Sequence, residues 1–142
     1  MTILITGGAG YIGSHMVLDL LARGETPVVL DDLSTGFAEL LPTEVPLIIG
    51  DIADTILVEN LIKAHDIDAI AHFAAKIVVP DSVADPLGYY QSNTSKARTL
   101  IDTAVKSGLK RFIFSSTAAV YGEPDEMPVS EMTRPQPVSP YG

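Results

Sequence analysis

The sequence predicts an α/β fold, a parallel sheet wound with helices on both faces, on three observations. Short apolar runs recur along the 142 residues with helix-like stretches between them. The runs are continuous rather than alternating, as strands covered on both faces require. The first run leads through a glycine-rich turn into an amphipathic stretch. Such alternation implies right-handed crossovers and a doubly wound sheet whose ligand lies at the carboxyl ends of the strands.

Residues 3–5 read as the first strand, 11–23 as the first helix and 28–30 as the second strand. The stretch 34–46 is punctuated by Gly36, Pro42 and Pro46 and reads as a loop with one helical turn. Residues 47–49 form the third strand. The helix at 54–65 opens on Asp54-Thr55, an N-cap region, and spaces Ile56, Leu57, Leu61 and Ile62 helically. Residues 69–73 form the fourth strand. A long helix is expected over 86–107: Pro86 is tolerated in a first turn, Leu87, Tyr90, Ala97, Leu100, Ile101, Ala104 and Val105 form a stripe, and Gly108 is a natural stop. Residues 112–114 form the fifth strand. Beyond Glu123 the character changes. Half of the ten prolines fall between 124 and 140, among acids at Glu123, Asp125, Glu126 and Glu131, which reads as an ordered loop or extended linker.

The bulk composition excludes several classes. With 46% hydrophobic and 19% charged residues the chain is globular and long enough for one domain with a proper core. A net charge of −9 argues against nucleic acid or an anionic membrane as the main partner. No cysteine is present, which excludes disulfides, zinc–thiolate sites and thiol catalysis, and fits a reducing compartment. Strand already begins at residue 3, leaving no room for a signal peptide, and no apolar run approaches a membrane span. A cytoplasmic protein is expected.

The turn Thr6-Gly7-Gly8-Ala9-Gly10-Tyr11-Ile12-Gly13-Ser14-His15 carries the most information. A strand–glycine turn–helix unit offers backbone N–H groups and the positive end of a helix to a diphosphate. Gly7 lets the chain turn, Gly10 admits a phosphate, and Gly13 lets helix and strand pack closely. Asp31 follows at the end of the second strand, roughly twenty residues on, as a nucleotide fingerprint requires. Its carboxylate can accept from the ribose hydroxyls of NAD and would repel the 2′-phosphate of NADP. Asp31-Asp32 with Ser34 and Gly36 is also what a plain polar turn would carry. The other unusual strand ends are Asp51-Ile52, Phe73-Ala74-Ala75-Lys76 and Ser115-Ser116-Thr117. His15 and His72 read as packing or backbone-bonded residues, and no metal site is expected.

Taken together, TGGAGYIGSH at 6–15, DDLSTG at 31–36, GDIAD at 50–54, HFAAK at 72–76, FSSTAAVYG at 114–122 and SPYG at 139–142 resemble the extended short-chain dehydrogenase/reductase family, and within it the UDP-glucose 4-epimerases. The resemblance spans the whole chain and implies a Rossmann-like NAD-binding domain, residues 1–142, that stops before a sugar-nucleotide domain. It implies that Tyr11 and Ile12 open the helix beneath the diphosphate, and that Asp31, Asp32, Leu33, Ser34, Thr35 and Gly36 hold the adenosine ribose. Asp51 and Ile52 fall where the family contacts adenine, with a simple strand-end turn as the alternative. Phe73, Ala74, Ala75 and Ser115 fall beside the diphosphate and nicotinamide ribose. Lys76 stands one position before the lysine of some members, so a solvated surface lysine is an equal reading. Ser92 and Asn93 align with a paired-asparagine position, of which only Asn93 keeps the type; a helix-surface role is the alternative.

The implied reaction removes hydride from sugar C4 to NAD and returns it to the other face, interconverting UDP-glucose and UDP-galactose. Tyr141 stands at the tyrosine of the Y-x-x-x-K pair, and Thr117 at the Ser/Thr that hydrogen-bonds the reacting hydroxyl. A free phenol loses its proton near pH ~10, so a phenolate useful near neutrality needs about 4 kcal/mol of stabilisation. The family's lysine and the nicotinamide cation would supply it, and the sequence ends at Gly142 before that lysine. The chain is therefore expected to bind NAD and be inactive alone, its parent taking a UDP-sugar and forming a homodimer. Ala118 and Ala119 stand where a 4,6-dehydratase would carry an acid–base pair, which favours epimerisation. Other nucleotide-sugar epimerases stay open, as does a non-catalytic NAD-binding sensor module.

Overall fold

The computed structural model describes residues 1–142. They gather into two compact units, residues 1–75 with 96–115, and residues 76–95 with 116–142. The first unit holds the sheet: β1 (Thr2–Thr6), β2 (Thr26–Asp31), β3 (Leu47–Ile49), β4 (Ala69–His72) and β5 (Phe112–Phe114). Their order is β3-β2-β1-β4-β5, and every pair is parallel. The chain winds outward from β1 to β3 and then resumes on the other side of β1, so the winding reverses between β1 and β4. The helices are α1 (Tyr11–Ala22), α2 (Thr55–Ala64), α3 (Val79–Ala84), α4 (Pro86–Tyr89) and α5 (Lys96–Lys106), with a π-helical stretch at Tyr90–Ser95.

The unbroken apolar strands have a direct cause. Successive strand residues point to opposite faces, and here each face has its own core. Leu4, Val28, Leu30 and Ile70 pack with Ile52, with Val58, Leu61 and Ile62 of α2, and with Leu100 and Ala104 of α5. Ile5, Val29 and Ala71 pack the other way, with Ala9, Val17 of α1, Leu41 and Val45. A fully buried Leu, Ile or Val contributes about 1.5–3 kcal/mol over exposure, so a polar residue at Leu4, Ile5 or Val29 would break one layer or the other.

α2 starts where expected, because the Asp54 carboxylate accepts from the Leu57 N–H at 3.0 Å. β4 ends at His72, one residue early, although the Phe73 N–H still donates to the Thr6 carbonyl at 2.8 Å. The loop after β2 holds one 3-10 turn, Ala38–Leu40.

The helix expected over 86–107 runs without a gap from Pro86 to Lys106, with its middle, Tyr90–Ser95, in π rather than α geometry; a separate short helix, α3, precedes it and is not expected from the sequence. Pro86 has no N–H and disfavours helical backbone at Asp85; α3 therefore stops at Ala84, and Asp85 caps α4 by accepting from the Gly88 N–H at 3.0 Å. The π-helical Tyr90–Ser95 then joins α4 to α5. Beyond Glu123 the chain forms an ordered loop without helix or strand; Gln136 N–H donates back to the Val120 carbonyl at 2.9 Å.

Candidate functional site

The turn between β1 and α1 is built by close backbone packing. Gly7 has φ +71°, and a Cβ there would lie 2.5 Å from the Ala74 nitrogen. A Cβ on Gly13 would lie 2.2 Å from the Gly7 carbonyl oxygen. Gly10 is different: its Cβ would meet only that same oxygen, at 3.3 Å. Gly7 and Gly13 are thus required by the chain's own packing, whereas Gly10 keeps a surface open. Gly8, which motif spacing does not single out, sits on Val29, whose γ-carbons would be 2.7 and 2.8 Å from an added Cβ.

α1 opens from this turn with Gly10 as its N-cap, no side-chain cap and no acidic residue in its first turn. The first N–H groups of a helix have no partner inside it, and the peptide dipoles place partial positive charge at that end. Tyr11 and Ile12 are exposed there. The helix end therefore offers donors to an anion and nothing of its own chain to compete for them.

Asp31 is buried at the end of β2. Its Oδ2 accepts from the Ala9 N–H at 2.9 Å and its Oδ1 from the Leu33 N–H at 2.8 Å. Asp32 Oδ1 accepts from the Ser34 N–H at 2.9 Å and from its hydroxyl at 2.6 Å. The Phe37 N–H donates to the Ala9 carbonyl at 2.9 Å, and a Cβ on Gly36 would lie 2.9 Å from that of Ala9. The 31–37 loop is thus folded down on the glycine turn, with Ser34 and Thr35 exposed. Each carboxylate oxygen of Asp31 retains a second lone pair for a further donor.

At the end of β3, Asp51 Oδ1 accepts from the Ala53 N–H at 2.9 Å and Oδ2 from Lys96 Nζ at 2.5 Å. Partial desolvation pushes the Asp51 carboxyl up, but the hydrogen bonds from Lys96 and Ala53 and the Lys96 charge outweigh it and hold it below its usual value. Ile52 is buried in the core. Phe73 and Ala74 are half-buried and Ala75 exposed, with the Ala74 backbone against Gly7 as above. The Ser115 N–H donates to the His72 carbonyl at 3.1 Å. The first unit therefore brings the residues expected at its strand ends to one edge of the sheet.

In the second unit the Asn93 amide is committed to backbone. Its Oδ1 accepts from the Lys76 N–H and its Nδ2 donates to the Lys76 carbonyl, both at 2.8 Å. Ser92 is half-buried. The Lys76 ammonium lies 5.7 Å from the Tyr89 ring centroid, and the Tyr89 hydroxyl donates to the Val78 carbonyl at 2.7 Å. Thr117 Oγ1 accepts from the Ala119 N–H at 3.2 Å and caps the 3-10 turn Ala118–Tyr121. Gly142, next to Tyr141, packs on the Ala119 carbonyl, 2.5 Å from where its Cβ would be.

Of the three histidines, His72 is accounted for by packing and His15 by a backbone hydrogen bond. The His72 ring is buried, with Nδ1 2.6 Å from the Thr6 hydroxyl and Phe112 and Phe114 beside it. Burial pushes its pKa down to about 4. His15 Nδ1 is 2.8 Å from the Tyr11 carbonyl oxygen. Sequence reasoning missed Lys96 as the partner of Asp51, since a lone lysine among polar residues carries no signal of a carboxylate 45 positions away.

The sequence profile of the NAD dependent epimerase/dehydratase family matches residues 3–142. The chain is 46% identical over 140 residues to the UDP-glucose 4-epimerase of Azospirillum brasilense, covering 99% of this chain and 40% of that protein. The crystal structure of UDP-glucose 4-epimerase from Brucella ovis in complex with NAD superposes with a TM-score of 0.94 at 36% identity, over 99% of this chain and 43% of that one. The Thermus thermophilus enzyme, also in complex with NAD, gives a TM-score of 0.93 at 40% identity, over 99% of this chain and 46% of that one. The chain thus spans less than half the length of these relatives. No helix is long and apolar enough to cross a membrane.

Proposed function

The chain belongs to the NAD dependent epimerase/dehydratase family, and on that premise we propose that it binds NAD along the carboxyl edge of its sheet and serves the interconversion of UDP-glucose and UDP-galactose. The observation that carries this reading is the uncapped N-terminus of α1 beside a buried Asp31 that holds the glycine turn in place. The cradle fits a dinucleotide: Gly7 and Gly13 bring backbones close, and Gly10 leaves room for a phosphate.

Strand order gives the direction. Neighbouring strands lie about 4.8 Å apart, so the ends of β1, β2 and β3 form a row. In our reading Gly7, Gly10, Tyr11, Ile12 and Gly13 hold the diphosphate at β1, Asp31 to Gly36 the ribose at β2, and Asp51 and Ile52 the base at β3. Phe73, Ala74, Ala75 and Ser115 serve the nicotinamide half; the family resemblance adds Lys76, with Ser92 and Asn93 of the π-helical stretch. Bound NAD supplies a hydride acceptor and donor. The chain's own part in the chemistry is proton transfer: the Tyr141 oxygen takes the proton of the sugar 4-hydroxyl, and Thr117 hydrogen-bonds that oxygen. A carboxylate at the ribose favours NAD over NADP.

Residues 1–142 act here as the NAD-binding part, with determinants of the UDP-sugar and of a homodimer extending beyond them, and we propose that they bind NAD without turning over sugar. Calorimetric titration and an assay of UDP-galactose conversion test both halves. One NAD per chain, NADP at least tenfold weaker and no conversion are expected. Absence of NAD binding, or conversion by residues 1–142 alone, would overturn the corresponding half.

A further inference from the structure

We propose that Lys96 is a positioning residue for the base end of the bound dinucleotide, acting through Asp51; this rests on the reading of the site given above. Asp51 stands at the end of β3, third in the row that begins at the glycine turn. Its two oxygens are held separately, Oδ1 by the Ala53 N–H and Oδ2 by Lys96 Nζ. An ionised carboxylate can only accept. Each oxygen keeps one lone pair after these bonds, so the group can receive the exocyclic amine of adenine but opposes a carbonyl in the same place.

The pair differs from the other side-chain ion pairs. Arg23–Asp19, at the C-terminal end of α1, and Lys106–Asp102, within α5, each join residues four positions apart, and their side chains are more than half exposed. Lys96 spans 45 positions to reach Asp51, and its own side chain is 29% exposed. Lys96 is also the first residue of α5, directly after the π-helical Tyr90–Ser95. Without Lys96, Asp51 keeps only the Ala53 anchor, and its free oxygen can rotate away from the base.

The test compares NAD with nicotinamide hypoxanthine dinucleotide, which carries a carbonyl in place of the adenine amine. Both are titrated into the wild-type chain and into Lys96→Met and Lys96→Arg, with folding checked by circular dichroism. Wild type is expected to prefer NAD by about tenfold, the scale of one hydrogen bond to a charged group. Lys96→Met should weaken NAD about fivefold while leaving the hypoxanthine analogue within twofold, so that the preference shrinks. Lys96→Arg should restore it. If Lys96→Met changes neither affinity, or weakens both dinucleotides equally, the inference fails while the reading of the site stands. If wild type binds neither dinucleotide, the reading of the site fails and takes this inference with it.

Discussion

The Asp31 carboxylate accepts a 2.9 Å hydrogen bond from the Ala9 N–H, so the group assigned to the ribose also fixes the turn assigned to the diphosphate. Asp31→Ala should therefore act on both binding and stability. The buried Ala9 N–H loses its partner, at a cost of about 1–3 kcal/mol. NAD affinity should fall by about 10–100-fold, the worth of hydrogen bonds to a charged group, and the preference over NADP should narrow. Denaturant unfolding and calorimetric titration of the same preparation read both effects.

Gly13→Ala and Gly10→Ala should separate fold from ligand. A Cβ at Gly13 meets backbone at 2.2 Å, which forces the turn apart; overpacking of this kind costs about 1–3 kcal/mol or more. A Cβ at Gly10 asks a few tenths of an ångström of one neighbour. Gly10→Ala should keep near-native thermal stability and lose dinucleotide affinity, whereas Gly13→Ala should lose both.

Stability should fall with acid through His72. Its folded pKa of about 4 lies below the unfolded value of 6.5, so the unfolded chain binds more protons between those limits. The stabilisation is complete above pH ~6.5 and is lost as pH falls toward ~4, by about 3 kcal/mol. Denaturant unfolding of wild type and His72→Gln at several pH values across this window checks it: the variant's slope should be flatter by that amount.

Tyr141→Phe tests the proposed chemistry in a protein of the relatives' full length that carries this chain. Loss of a general base costs about 10²–10⁴ in rate, so kcat for UDP-galactose should fall by that factor with NAD affinity unchanged. An equal loss of NAD affinity would instead make Tyr141 part of the cofactor site.

Legibility followed the physics of each element. β1, β2 and β4 are covered on both faces and leave unbroken apolar runs, and the edge strands β3 and β5 carry such runs although they are more exposed, so all five were readable to within two residues. Asp54 and Leu57 marked α2 because a cap is local. The stretch 79–106 was readable in part: Pro86 and the stripe from Leu87 marked the helix that starts there, but α3 ahead of it has no side-chain cap to announce it, and nothing in the side chains of 90–95 announces a π-helical path. The glycine turn could be read because its spacing reflects backbone contacts, Gly7 to Ala74 and Gly13 to Gly7. The Asp51–Lys96 pair could not, because it depends on how two distant elements meet. The same holds for the Asn93 amide, whose commitment to the Lys76 backbone follows from the path of 76–79 and not from its type.

The most direct test of the central claim is residue-resolved nuclear magnetic resonance of the ¹⁵N-labelled chain during an NAD titration. The account predicts saturating shifts, at one NAD per chain, of the backbone amides of Tyr11, Ile12, Gly13, Ala9 and Leu33. Unmoved amides at the start of α1 under saturating NAD, or saturating shifts confined to other parts of the chain, would contradict it.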